Sequence, residues 1–183
     1  MIDATFTPSM CSTLQSLTGQ RLISLECEPL EETQETYGNL LITTESQRIE
    51  LINEEEPTPY SDGSEDISRF TCHRLTPQET FRQFVMGDHP VTYPLSGTVT
   101  QVRVVNDRIT LPHENYTIQL SMALILDTNE GQIAFLRGWH FDEMITVIRD
   151  GDYRQSLRPV EHIRSDWGDD ADAINVTRTI ITL

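Results

Sequence analysis

The stretch RGWHFDEM, residues 137 to 144, gathers the side chains of this protein best suited to chemistry. On a strand or a tight turn His140 and Asp142 fall on one side, with Glu143 opposite. A histidine beside a carboxylate can work as a general base with its orienter, or help to hold a metal. His140, Asp142 and Glu143 are therefore the candidate catalytic or ligand-lining residues, with Tyr60 and Arg137 as supports. A second reading makes the stretch the polar end of a hairpin, where Trp139 and Phe141 cap the core edge. A third makes it an interaction rim anchored on Arg137 and Trp139, because Trp and Arg are favoured interface anchors. We read it as a hairpin edge with an interaction-prone rim and keep catalysis as the alternative.

The other motif classes are empty. There is no nucleophile elbow, phosphate-binding glycine loop, dinucleotide fingerprint or HExxH pair. His73, His89, His113, His140 and His162 lack the short spacings of a zinc site, and DWGDDAD lacks the calcium loop's central glycine and final glutamate. No metal and no cofactor is expected. Cys11, Cys27 and Cys72 contain no CxxC and read as small buried hydrophobes. Cys72 and His73 are strand neighbours and so point apart.

Charge narrows the partners. The chain of 183 residues carries a net charge of −16, and its cations are all arginine, since lysine does not occur. An anionic surface repels nucleic acid and anionic lipid and attracts a basic protein, a toxin being one candidate. The first 70 residues hold 14 acids against 3 arginines, so the charge is concentrated there. The segment INEEEPTPYSDGSED, residues 52 to 66, reads as a solvated loop offering Tyr60, Asp62, Glu65 and Asp66 as binding residues alongside Arg137 and Trp139. No apolar run is long enough to span a membrane. The start MIDATFTPSMC resembles no signal peptide, so a cytoplasmic location is expected.

Those residues must be held by a scaffold, and its punctuation is readable. Thr7, Pro8 and Gly19 frame a short helix whose stripe is Met10, Leu14 and Leu17. Thr76, Pro77 and Glu79 predict a second one, with Phe81, Phe84 and Val85 as its stripe and Gly87 beyond. Alternation predicts strands in which Ile23, Leu25 and Cys27 share a face, as do Thr100, Val102 and Val104. It also predicts a hairpin over YGNLLITTESQRIELIN, and another in which Ile118, Leu120, Met122, Leu124 and Leu126 alternate before the turn DTNEG. A closing strand ends the chain.

The order helix, then four strands, is read twice. The expectation is an α+β fold, predominantly antiparallel β, with two pseudo-repeated helix-then-four-strand units around a shared core. Residues 1–75 form the first unit and 76–183 the second, in one compact domain. Three functions follow: an acidic inhibitor or immunity-type protein that neutralises a basic target, a small-molecule-binding or enzymatic domain, and a subunit that self-associates through a strand edge as a homodimer.

Overall fold

The computed structural model describes residues 1–30, 33–60, 63–85, 90–111, 116–168 and 171–183, and at Tyr60 the backbone alone. The architecture is mostly antiparallel β with two short α-helices among the described residues. Five strands form one sheet: β2 (Leu22–Cys27), β4 (Asn39–Thr44), β5 (Arg48–Tyr60), β6 (Gly63–Leu75) and β7 (Val91–Pro94), in the order β6-β5-β4-β2-β7. The second sheet runs β12 (Asn175–Thr182), β8 (Val99–Leu111), β9 (Tyr116–Thr128), β10 (Gly131–Leu136), β11 (Met144–Ile148), β3 (Glu35–Tyr37). β1 (Ile2–Ala4) adds to β9 in parallel.

The two sheets enclose the main core, in which Leu25, Leu40, Ile42, Leu51 and Phe70 meet Val102, Val104, Leu124, Leu126 and Phe135. A second core covers the other face of the larger sheet. There Val105, Ile109, Leu120 and Ile125 pack beneath Tyr153, Leu157 and Ile163, carried by the turn at Tyr153–Gln155 and by α2 (Val160–Ser165). With both faces covered, the centre of β9 is apolar throughout, as a strand buried on two sides must be.

Three β-bulges correct the expected alternation. Ile23 is the extra residue between Leu22 and Ser24 and stands 40% exposed, off the buried face of Leu25 and Cys27. Thr100 is extra between Val99 and Gln101, so Val99 rather than Thr100 joins Val102 and Val104 inside. Met122 is extra on β9, opposite Val105 and Asn106. It sends Ile118, Leu120, Ala123 and Ile125 to the second core and Leu124 and Leu126 to the first. A bulge shifts the phase of the pleat, and a period-two count cannot see it.

The first helix forms as expected. In α1 (Pro8–Gln15) the Thr7 hydroxyl accepts from the Met10 amide at 3.3 Å, and Leu14 and Leu17 are fully buried. The second helix does not form among the described residues. Thr76 and Glu79 keep their capping bond at 2.6 Å, but an irregular segment follows. Its backbone is satisfied by Asn39 instead: the Asn39 amide donates to the Arg82 carbonyl (2.9 Å) and its oxygen accepts from the Phe84 amide (3.1 Å). Phe81 packs with Leu41 and Leu75 on the outer face of the five-stranded sheet, while Phe84 and Val85 are exposed. Gly87 lies outside the described residues. Among the described residues a helix followed by four strands is seen at α1 alone, and the expected repeat of that order is not shown. Strands also cross the boundary at residue 75, since β1 and β3 belong to the larger sheet and β7 to the smaller.

The segment expected as a solvated loop is a hairpin arm. β5 and β6 stay paired from Arg48–Leu75 out to Tyr60–Gly63, straight through the three glutamates and both prolines. Pro57 and Pro59 are two residues apart, so both missing N–H groups face the strand edge turned away from β6, where no ladder bond is lost. Arg69 braces the arm, bonding the Asp3 carbonyl (2.8 Å) and pairing with Glu56 (3.2 Å).

Candidate functional site

RGWHFDEM is the connection from β10 to β11, turning at His140 and Phe141 instead of continuing a strand. It is stitched to the root of the arm. The Ser68 amide donates to the His140 carbonyl (2.8 Å), the Glu55 amide to the Glu143 carboxylate (3.0 Å), and the buried Asn53 amide to the carbonyls of Asp142 (2.7 Å) and Met144 (3.1 Å).

The turn separates the three residues of the catalytic alternative. Among the described residues no hydrogen bond or ion pair joins His140 to Asp142 or Glu143. Asp142 folds back to accept from the Met144 amide (2.9 Å), one carboxylate oxygen lying 3.2 Å from where a side chain on Gly138 would begin. Glu143 accepts from the Tyr37 hydroxyl, which raises the phenol to about 12. His140 is 3% exposed, and its Nε2 has no hydrogen-bond partner. Burial first, then the charges of Arg137 and Arg158, lower its pKa to about 4, so it is neutral near pH 7. A general base lacking its orienting carboxylate is poorly equipped for proton transfer.

Arg137, expected at an interface, is 1% exposed. One nitrogen donates to the Ser68 carbonyl (2.5 Å) and hydroxyl (3.3 Å), and the guanidinium lies over Phe70 at 5.7 Å. It is held inside the protein, beneath the turn, with almost none of its surface exposed.

Trp139 does reach the surface, in a cavity of about 260 Å³ lined by Glu65, Ile67, Ile118, Trp139, His140, Phe141, Asp166 and Trp167. Its walls are aromatic. The His140 ring stacks on Trp139 (4.6 Å, 21°) and, offset, on Trp167 (6.1 Å, 11°), with Phe141 tilted at 4.1 Å. Behind Trp139 the Arg158 guanidinium covers the indole at 4.3 Å and pairs with Asp166 at 2.5 Å. This wall is pinned to the larger sheet by Arg178 of β12, which donates to the Arg158 carbonyl (2.8 Å) and grips the buried Asp107 with two 2.7 Å bonds. Glu65, from the arm, is exposed and makes no ion pair among the described residues. Asp66, the next strand residue, is also exposed but faces the other side of the arm with Glu55, whose carboxyl is raised by burial first and then by the charges of Glu143, Asp66 and Asp142.

Of the sequence-derived binding residues, the fold brings Trp139 and Glu65 to one cavity, while Asp66 faces the other side of the arm. Asp62, the Tyr60 side chain, His89 and His113 lie outside the described residues. Trp167, Ile67, Ile118 and Arg158 went unread. The available signal was that the chain has only two tryptophans, both in polar surroundings. Among the described residues no group of three or more His, Cys, Asp or Glu is placed to hold a metal, and no helix is long and apolar enough to cross a membrane. The three cysteines are free, and burial raises Cys27 and Cys72 to about 12, so both stay thiols. The chain matches no protein-family model, no curated protein and no solved structure.

Proposed function

We propose that this is an acidic binding protein that engages a basic protein partner, in the manner of an inhibitor or immunity protein, through the face carrying this cavity. The observation that carries the reading is that both tryptophans of the chain line one cavity with Glu65, which makes no ion pair among the described residues. Tryptophan on a partly open surface supplies contact area at small entropic cost, and a surplus of negative charge speeds encounter with a cationic partner. The alternative, a small-molecule or enzymatic site at His140, Asp142 and Glu143, finds less support because the three residues point into separate hydrogen-bond networks.

The test is binding to a panel of defined basic proteins and arginine-rich peptides at low and high salt. Glu55→Gln, Glu65→Gln and Asp66→Asn combined should weaken binding about tenfold, and added salt should do the same. Neutralising Glu130, Asp150 and Asp152 instead should change little. Equal losses in both triple variants would reduce the acidic face to general charge and remove the assignment.

A second reading, self-association, rests on β12. Among the described residues it pairs with β8 alone, lies at the sheet edge, and exposes Ile180 and Ile181. Sedimentation should then show a dimer that Ile181→Lys dissociates. A monomer at high concentration removes that reading.

A further inference from the structure

We infer that the cavity lined by Trp139 and Trp167 is an arginine pocket: it receives one guanidinium side chain from the partner, set against Trp167 and Phe141 and bonded to Glu65. The inference rests on the binding-protein reading and adds the group that is recognised.

Four observations carry it. First, the lining is aromatic on several sides, and the electron-rich face of an aromatic ring attracts a cation, an indole most of all. Second, the charge of Asp166 is already met by Arg158, while Glu65 on the same cavity has no ion pair among the described residues. One uncompensated carboxylate asks for one cation. Third, Nε2 of His140 on this lining has no hydrogen-bond partner, and on a neutral imidazole that nitrogen can accept from a guanidinium N–H. His140, though a potential cation, is buried in its neutral form, so it does not repel a positive guest. Fourth, the fold already makes the same kind of arrangement beside the cavity, where the Arg158 guanidinium lies over Trp139 while paired to a carboxylate; with His140 also stacked on that indole, Trp167 and Phe141 are the rings left for the guest.

A planar guanidinium meets these demands better than an ammonium. It can stack on a ring by its face while its edge forks to a carboxylate, and it gives up its hydration more readily. The apolar walls of Ile67 and Ile118 suit the methylene stem that precedes it. A neutral guest of the same shape would forfeit both the ring attraction and the Glu65 bond.

The two indole N–H groups give the experiment its readout, because a nitrogen-15 proton spectrum of the whole chain should contain two such signals, assigned with Trp139→Phe and Trp167→Phe. The probes are short peptides alike except at one central position, which is arginine, lysine or citrulline; citrulline keeps the shape of arginine without its charge. The arginine peptide should shift both indole signals saturably. Lysine should bind about fivefold more weakly and citrulline at least about tenfold more weakly. Glu65→Gln, at an exposed position where folding is not at stake, should cost the arginine peptide about fivefold and leave the citrulline peptide unaffected. Indole signals that stay still, or move equally with citrulline, overturn the arginine pocket. If basic proteins nevertheless bind in a way the acidic-face triple variant weakens, the binding-protein reading survives that result. If they do not, it falls separately.

Discussion

His140 and Arg137 lie three residues apart in the sequence and are both withdrawn from solvent, and each predicts its own stability signature. His140 is held near a pKa of about 4 against an ordinary 6.5, so the unfolded chain takes up its proton first as pH falls. Its contribution to stability is complete above pH 6.5 and is lost as pH falls toward 4, about 3 kcal/mol in all. Denaturant unfolding from pH 7 to pH 4 should show the decline, and His140→Gln should flatten it. An unchanged slope in that variant would falsify the assignment. Arg137 leaves Nε and one terminal nitrogen without partners, and burial lowers its pKa to about 10. Arg137→Met is expected to keep or raise stability, by up to about 3 kcal/mol, because it removes an unpaired buried charge. Urea midpoints check this, and a loss above about 2 kcal/mol would show that the guanidinium is compensated after all.

The position of the aromatic cavity depends on how elements are joined. Asn53 ties β5 to the start of β11 by one amide and two carbonyls, and the connection that bears Trp139 and Phe141 leads directly into that tie. Asn53→Leu should cost about 2–3 kcal/mol, since it strands two buried carbonyls. It should also weaken the arginine peptide, although residue 53 does not line the cavity. Loss of stability with undiminished peptide affinity would detach the tie from the site. Gly38 works nearby: its φ of +70° is left-handed, and a Cβ there would meet the Phe84 ring at 2.5 Å. Gly38→Ala is expected to destabilise by about 1–3 kcal/mol, read from the thermal midpoint, and a midpoint equal to the parent's would contradict it.

Across the whole molecule, the net charge of −16 works against compactness, and under the proposed function it also serves recognition. Paired carboxylates such as Asp107 and Asp127 are held by Arg178 and Arg103, but the glutamates of the arm and the acids around the cavity repel one another. Added salt should therefore raise the thermal midpoint of the free chain while weakening its hold on a basic peptide. A midpoint that falls with salt would mean that the ion pairs outweigh the repulsion. The opposite signs separate stability from binding in one titration series.

Composition and local pattern determined the strand-rich character, the first helix with its Thr7 cap, both main hairpins, the closing strand and the acidic surface, because each depends on neighbours a few residues apart. Trp139 and Glu65 could be chosen singly as binding residues for the same reason. Only the tertiary structure decided the rest. The bulges at Ile23, Thr100 and Met122 answer to partner strands. The Thr76 segment gives up its helix because Asn39, far away in sequence, satisfies its backbone. The run of glutamates becomes an arm because β6 pairs with it. The cavity unites residues 65, 118, 139 and 167, which no spacing rule connects, and packing buries Arg137 while leaving Trp139 at the surface. Local propensity acts through the chain, whereas burial and pairing act through space, and the site of this protein is assembled by the second.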